Sequence, residues 1–174
     1  RVREVATDSR SVLSTDEVLF AAIDGKNHDG HNYIQRRVMR GVAACIVERD
    51  VELPAEGCGV VRVASTIEAL QALAAYHRSR FSGRVVAITG SNGKTIVKEW
   101  AARSMPDTVR SFASPKSYNS QLGVALSLLM LSGEEQVAFI EAGISHPGEM
   151  ERLESMIKPD TVVFTSIGDA HSAN

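Results

Sequence analysis

The sequence has few aromatic residues, only two cysteines and no block of like charge. Aromatic residues make up 5% of its 174 residues, so a surface on which successive nucleic-acid bases stack is not expected. The 19 basic and 21 acidic residues nearly cancel, to a formal charge of −2, which argues against binding nucleic acid or an anionic membrane through a broad basic field. Cys45 and Cys58 are too few for a disulfide framework or a thiolate metal site, and we interpret both as ordinary reduced residues.

Long apolar stretches are also missing. Polar residues interrupt every apolar run well before the roughly 18 residues needed to span a bilayer, so no membrane-spanning segment is predicted. The first ten residues, RVREVATDSR, lack the apolar core of a signal peptide, although an upstream signal stays open if the chain begins within a longer protein. With 44% apolar residues the sequence can form a hydrophobic core, and a cytoplasmic protein is the default expectation.

Short apolar runs alternate with helical patterns, which predicts an α/β fold. In the first half, strands are predicted at residues 18–23, 43–47 and 60–63, and a helix at 31–40. Ser65 and Glu68 have the spacing of a capping box and predict the start of a helix that ends near His77. The polar stretch 78–83 then suits a connection, so we predict two domains, 1–80 and 81–174.

The second half has the pattern of a parallel sheet with crossover helices. Strands are predicted at residues 84–89, 137–140 and 161–167, and helices at 94–103, 121–131 and 148–157. The run RVVAIT at 84–89 is nearly continuous in apolar residues, as in a strand buried on both faces. The order β-α-α-β-α-β favours a parallel sheet.

The strongest functional signal is the glycine-rich segment after this strand, which reads Gly90, Ser91, Asn92, Gly93, Lys94, Thr95. Such a loop directs successive backbone N–H groups at an anion, with a helix N-terminus behind it. Lys94 would reach the β- and γ-phosphates of a nucleotide, and the Thr95 hydroxyl would ligate Mg²⁺. Ile88 stands where the general GxxxxGK(S/T) pattern has its first glycine. A strand before the loop and a helix after it still favour a nucleotide-phosphate site over a structural turn.

The segment ITGSNGKT at residues 88–95 resembles the TG-x-NGK-(S/T) loop of the Mur ligases and their folylpolyglutamate synthase relatives. These ATP-dependent enzymes join a carboxylate to an amine. Further segments resemble the family in the correct order: DSR at 8–10, LFAAIDG at 19–25, DGH at 29–31, SYNSQLG at 117–123, FIEAG at 139–143 with GEM at 148–150, and TSIGDAH at 165–171, where Ser166 replaces the usual Asn. The E-x-G…GE-(I/M) pattern is similar to that of the MurF type, which adds D-alanyl-D-alanine to UDP-MurNAc-tripeptide.

The resemblance implies a role for particular residues. Glu141 and His171 would bind Mg²⁺ together with Thr95, and Asn119 would contact the γ-phosphate. Ser9 and Arg10 would hold the UDP end of the precursor. It also implies a small N-terminal α/β domain that binds the precursor, followed by an incomplete P-loop domain with a mostly parallel sheet.

The residues alone leave alternatives open for each of these roles. Glu141 is also compatible with a solvated strand end, and His171 with a surface position. Asn119 is a good N-cap for the helix that follows, and DSR at 8–10 suits an ordinary turn with a salt bridge. For the HDGH stretch at 28–31 loop architecture is favoured, and for Lys116 a solvated side chain is favoured over a phosphate contact.

The function implied is an ADP-forming ligase of peptidoglycan precursor synthesis, and hence of cell-wall biogenesis, cell shape and cell division. It would use ATP and Mg²⁺ and work through an acyl phosphate. Alternatives are another Mur-type or folylpolyglutamate-type amide ligase, an unrelated P-loop NTPase, and a nucleotide-binding P-loop module without catalysis. The family has more of the central domain, including a carbamylated lysine, and a third domain, so we expect a fragment that is inactive alone. A fusion to a further enzyme, as some bacteria have with alanine racemase, stays open.

Overall fold

The computed structural model describes residues 2–10, 12, 17–25, 28–35, 42–52, 58–144 and 147–168. The chain divides into two compact units, Arg1–Leu70 and Gln71–Asn174. Each unit contains one four-stranded sheet, and the α/β class expected from the sequence is confirmed. The functional division at residue 80 stays a prediction. Among the helices that the structure describes, none has the length and apolar composition that crossing a membrane requires.

The first unit is built on a parallel sheet with strand order β1-β2-β3-β4. The strands are β1 Glu4–Ala6, β2 Val18–Ala21, β3 Ala44–Val47 and β4 Gly59–Arg62. β1 was not predicted, because three residues are too few to show a period of two. Phe20, Ile34 and Cys45 are fully buried in the core of this unit. Cys45 and Cys58 are both free thiols, as expected, and burial raises the pKa of Cys45 to about 12.

The predicted helix at 31–40 begins as a short 3-10 helix, Gly30–Tyr33, and residues 36–41 lie outside the described part of the chain. The next helix, α1, is Thr66–Ser79 and starts where the capping box places it. The Glu68 N–H donates to the Ser65 hydroxyl at 3.3 Å, and the Thr66 N–H donates to the Glu48 carboxylate at 2.6 Å. Glu48, which lies in the same unit as the start of α1, thus supplies an additional acceptor for the first turn of that helix.

The second unit has a parallel sheet with strand order β6-β7-β5-β8. The strands are β5 Arg84–Thr89, β6 Ser111–Ala113, β7 Val137–Glu141 and β8 Thr161–Phe164, and the helices are α2 Lys94–Arg103, α3 Gln121–Leu129 and α4 Glu149–Ile157. The short strand β6 was not predicted. β8 ends three residues before its predicted end, because the residues that follow bond to the glycine-rich loop.

The sheet order of the second unit determines where its loops meet. β5 lies between β7 and β8, and in a parallel sheet all strands end at the same edge. Val85, Leu128 and Ile140 are fully buried in the core below this edge. Ligands of α/β proteins bind outside the carboxyl ends of such strands, where the strand order reverses. The loop after β5, the end of β7 and the segment after β8 converge there.

Candidate nucleotide-phosphate site

The loop after β5 needs glycine at two positions. Gly90 has a φ of 132°, and a Cβ there would lie 2.4 Å from Thr165 Oγ1 and 2.7 Å from the Ser166 carbonyl oxygen. Gly93, the N-cap of α2, has a φ of 82°. Both conformations are disfavoured for residues with a side chain. The first glycine therefore lets the loop approach the segment after β8, and the second turns the chain into the helix.

Two backbone N–H groups of the loop face this neighbouring segment. The Ser91 N–H donates to the Ser166 carbonyl at 2.8 Å, and the Asn92 N–H donates to the Ser166 hydroxyl at 3.1 Å. Thr165 in turn donates its hydroxyl to the Asn92 carbonyl at 2.5 Å. The Ser91 and Asn92 amides are thus bonded to the segment after β8 in this structure, and their part in binding a phosphate stays a prediction. The first N–H groups of α2 have no acceptor within the helix and are available to an anion.

Lys94 lies at the start of α2 with its ammonium group on the loop. Its Nζ donates to the Gly90 carbonyl at 2.6 Å and to the Ser91 carbonyl at 3.4 Å. The side chain is partly exposed, so it can exchange these carbonyls for an incoming phosphate. A cation beside a helix N-terminus forms a positively charged site that suits an anion.

Behind the loop, the structure brings three predicted site residues into one cluster. The Thr95 hydroxyl lies 2.9 Å from Glu141 Oε2 and donates to the carboxylate, and Asn119 Nδ2 donates to Glu141 Oε1 at 3.0 Å. Glu141 is only 1% exposed, so it is not a solvated residue at a strand end. Asn119 does not cap α3 either: the cap is Ser120, whose hydroxyl accepts from the Gly123 N–H at 3.2 Å.

Two further residues of this cluster were missed from the sequence. Lys98 is fully buried, and its Nζ lies 3.5 Å from Glu141 Oε2. The Ser114 hydroxyl accepts from the Glu141 N–H at 3.1 Å. Lys98 is four residues after Lys94 and therefore lies on the same helix face, which is the signal that could have indicated it.

The oxygen atoms of this cluster, the Thr95 hydroxyl and the Glu141 carboxylate, are suitable ligands for Mg²⁺. Within the described residues there is no group of three or more His, Cys, Asp or Glu side chains that could hold a metal ion alone. Mg²⁺, however, is usually held by one or two carboxylates together with substrate phosphates and water. A buried carboxylate beside a hydroxyl at a phosphate loop supplies the protein's share of such a site. His171, predicted as a further ligand, lies outside the described residues, and its role stays a prediction.

The two residues of the first unit that are predicted to bind the precursor differ from this cluster in their exposure to solvent. The Ser9 residue is buried, at 6% exposure, whereas the side chain of Arg10 is 85% exposed. Arg10 donates to the Asp8 carboxylate at 2.6 Å, and this side-chain hydrogen bond, with one from the Arg10 backbone, lowers the pKa of Asp8 to about 2. The guanidinium group is therefore held by a local ion pair and open to solvent.

The HDGH stretch has an architectural role in the structure. His31 Nδ1 lies 2.6 Å from Asp29 Oδ1, and His31 Nε2 accepts from the Glu48 N–H at 3.0 Å. The Asp29 carboxylate also accepts from the His31 N–H at 2.9 Å and so caps the 3-10 helix. Lys116 has an exposed side chain, as the sequence favoured.

Comparison with known proteins adds independent findings. The model of the Mur ligase family catalytic domain matches residues 1–78, and that of the Mur ligase middle domain matches residues 88–173. UDP-N-acetylmuramoyl-tripeptide–D-alanyl-D-alanine ligase from Bacillus subtilis is 33% identical over 98% of this chain, and its counterpart from Rickettsia prowazekii is 35% identical over 97%. The chain covers only 37% and 36% of these two relatives, just over a third of their length.

Solved structures agree with these relatives. MurF from Acinetobacter baumannii is 32% identical, with a TM-score of 0.87, over 98% of this chain and 37% of that one. The MurF ligase from Thermotoga maritima, solved in complex with ADP, is 31% identical, with a TM-score of 0.83, over 98% of this chain and 39% of that one. Two family models thus match nearly the whole sequence, and solved structures that are 31–32% identical share its fold: the chain belongs to the Mur ligase family.

Proposed function

We propose that this protein is an ATP-dependent ligase that adds D-alanyl-D-alanine to UDP-MurNAc-tripeptide in peptidoglycan precursor synthesis. The observation that carries the proposal is the cluster behind the phosphate loop, in which Thr95 and Asn119 donate to the buried carboxylate of Glu141. It lies in a chain whose relatives bear the name of this ligase. Because the chain spans just over a third of those relatives, the proposal is about the activity of the full-length protein.

The reaction needs an activated carboxylate, because a carboxylate is a poor electrophile. The terminal carboxylate of the precursor attacks the γ-phosphorus of ATP, the bond to the bridging oxygen breaks, and an acyl phosphate and ADP result. The amine of D-alanyl-D-alanine then attacks the acyl carbon, loses a proton and expels phosphate. The protein must offset negative charge on the transferring phosphoryl group, which we assign to Lys94 and the N-terminus of α2.

We assign the metal site to the buried cluster. Thr95, Glu141 and the predicted ligand His171 would hold Mg²⁺, and Asn119 would contact the γ-phosphate. When bound, Mg²⁺ would offset phosphate charge and orient the phosphate oxygens. Before binding, the hydrogen bonds of Thr95 and Asn119 hold the Glu141 carboxylate in one orientation. ATP binding is consistent with the ADP complex of the Thermotoga maritima relative.

We assign the UDP end of the precursor to the first unit, at Ser9 and Arg10. An exposed guanidinium group can form paired hydrogen bonds with a diphosphate or a carbonyl edge. Because ATP and a nucleotide-linked precursor are cytoplasmic metabolites, we keep the cytoplasm as the proposed location. A fusion to a further enzyme domain stays an open proposal.

The test is a product assay on the full-length protein with ATP and Mg²⁺. ADP and phosphate should form in equal amounts only when UDP-MurNAc-tripeptide and D-alanyl-D-alanine are both present, and mass spectrometry should find the pentapeptide precursor. Product with another amine or with a folate substrate would instead indicate a different member of the family. ATP hydrolysis that ignores both substrates, or nucleotide binding without turnover, would indicate an NTPase or a binding module.

A further inference from the structure

Lys98 is a buried charge that the proposed mechanism does not use. Its side chain has no exposed surface, although lysine is almost never fully buried unless it is paired. Its Nζ donates to the Ser114 carbonyl at 2.6 Å and to the Lys116 carbonyl. It also lies 3.5 Å from Glu141 Oε2 and 3.4 Å from Glu99 Oε1.

The two glutamates near Lys98 differ in burial. The Glu99 side chain is 41% exposed, whereas that of Glu141 is 1% exposed. Water can therefore solvate the Glu99 carboxylate but not that of Glu141. A buried carboxylate without a compensating charge is strongly unfavourable. Among the described residues near Glu141, Thr95 and Asn119 supply neutral donors, and the ammonium group of Lys98 supplies the positive charge.

Lys98 also fixes the segment that carries Asn119. The carbonyls that it binds belong to Ser114 and Lys116, and Lys116 has a φ of 51°, which is uncommon for a residue with a side chain. The Ser114 hydroxyl accepts from the backbone of Glu141. One ammonium group thus joins α2, the segment after β6 and the end of β7.

We propose that Lys98 is the counter-charge of Glu141. Its ammonium group neutralises the buried carboxylate and holds the nucleotide site assembled before Mg²⁺ binds. Lys98 is a positioning residue, since it acts through Glu141 and the 114–119 segment. The inference rests on the proposed function of this cluster as a Mg²⁺–nucleotide site. Without Lys98, an uncompensated carboxylate would face the anionic phosphate chain until the metal ion neutralises it.

The experiment measures ADP affinity by titration calorimetry on the full-length protein, with excess Mg²⁺ and with a chelator in its place. Lys98→Met removes the charge at similar side-chain length. It should weaken Mg²⁺-free ADP binding about five- to tenfold by charge repulsion, and Mg²⁺ should close most of that difference. Lys98→Met combined with Glu141→Gln should restore Mg²⁺-free binding to near the wild-type value, because no unpaired charge is left.

Glu99→Gln is the matched control, since it alters the other carboxylate near Lys98. It should leave ADP binding unchanged, and it should not rescue Lys98→Met. A loss in Lys98→Met that is equal with and without Mg²⁺, or that Glu141→Gln does not relieve, would overturn the proposal and make Lys98 only a tether of backbone carbonyls. Wild-type affinity in Lys98→Met under both conditions would overturn it as well.

Two further measurements, folding of the variants and ligation by the wild-type protein, distinguish failure of the Lys98 proposal from failure of the proposed function. If Lys98→Met does not fold but the double variant does, the unpaired charge is the cause and the proposal stands; if neither folds, the proposal is rejected. A wild-type protein that binds ADP with Mg²⁺ but makes no ligation product rejects the proposed function. The ADP affinities of the Lys98 variants can still be compared in that case, because ADP binding needs neither the carboxylate nor the amine substrate.

Discussion

The phosphate-loop cluster of the second unit and the DSR segment of the first were both predicted as anion-contacting sites, yet they are built in opposite ways. The cluster has a carboxylate at 1% exposure, held by donors from α2 and from the segment before α3. In the DSR segment, the side chain of Arg10 is 85% exposed, and its guanidinium group forms an ion pair with Asp8, two residues away. The Glu141 carboxylate is thus held by contacts distant along the sequence, and the Arg10 guanidinium by a residue two positions away.

This difference predicts where binding energy is sensitive to substitution. A group that the fold holds in place and partly shields from water acts on a ligand in a lower dielectric environment and reorganises less on binding. An exposed ion pair is screened by solvent and contributes little. Substitutions at the phosphate-loop cluster should therefore reduce ligand affinity and rate more than substitutions at the DSR segment.

The largest effect is expected for Lys94→Ala in the full-length protein. We expect kcat/KM for ATP to fall by roughly 10²- to 10³-fold, the scale of losing one preorganised charge-stabilising group. Added Mg²⁺ should recover none of this loss, because the ammonium group acts on the phosphates directly. The measurement is steady-state kinetics with ATP varied at several Mg²⁺ concentrations. Lys158→Ala, at an exposed position after α4, is the control and should behave as wild type.

A smaller effect, of a different kind, is expected for Glu141→Gln. A neutral amide is a weaker ligand for a hard cation, so the Mg²⁺ concentration needed for half-maximal rate should rise roughly 10- to 100-fold. Excess Mg²⁺ should recover part of the rate, in contrast to Lys94→Ala. Glu154→Gln, an exposed residue of α4, should change nothing. An unchanged Mg²⁺ dependence in Glu141→Gln would mean that the metal ligand lies elsewhere.

The same contrast explains how much of the molecule could be predicted. The strand β5, the start of α2 and the end of β7 were predictable, because a continuous apolar run, a glycine turn and a polar residue at a strand end are local signals. They placed Lys94 and Thr95 in the predicted site and left Glu141 as a candidate, which the family resemblance then assigned to Mg²⁺. The family resemblance added Asn119, for which the local sequence alone favoured neither a cap nor a contact.

The orientation of α2 could not be predicted from hydrophobicity. Ile96 is 57% and Trp100 is 68% exposed, whereas Lys98 is fully buried. A helix normally turns its apolar stripe to the core, whereas here α2 turns Lys98 inward, onto two backbone carbonyls and the Glu141 carboxylate. The hydrogen bonds from the Ser91 and Asn92 amides to Ser166 could not be predicted either, because their acceptor lies more than 70 residues away along the sequence.

At the DSR segment, Arg10→Ala is expected to have a modest effect. Affinity for the UDP-linked precursor should fall about fivefold, or about 1 kcal/mol, the scale of one hydrogen bond at an exposed position. ADP affinity should not change. Titration calorimetry with each ligand measures both, and Arg152→Ala, exposed on α4, serves as the control. Unchanged precursor affinity would reject the assignment of Arg10 to precursor binding. A loss as large as that of Lys94→Ala would contradict the expectation that the exposed DSR segment is less sensitive to substitution than the phosphate-loop site.

The smallest effect on ligand binding, none at all, is expected for Asp29→Asn, which should alter only stability. Burial alone would raise the pKa of Asp29, but hydrogen bonds from His31 and Arg49 outweigh it and lower the pKa to about 2. An unfolded aspartate has a pKa of about 3.9, so the ionised side chain stabilises the fold fully above about pH 5, and this contribution is lost as the pH falls towards 2. Asp29→Asn lacks it at every pH. The difference in free energy of unfolding from wild type, measured by urea titration, should therefore be greatest at neutral pH and shrink below about pH 4. A difference that stays constant down to pH values near 2 would show that the cap and the packing around His31, rather than the charge of Asp29, stabilise this loop.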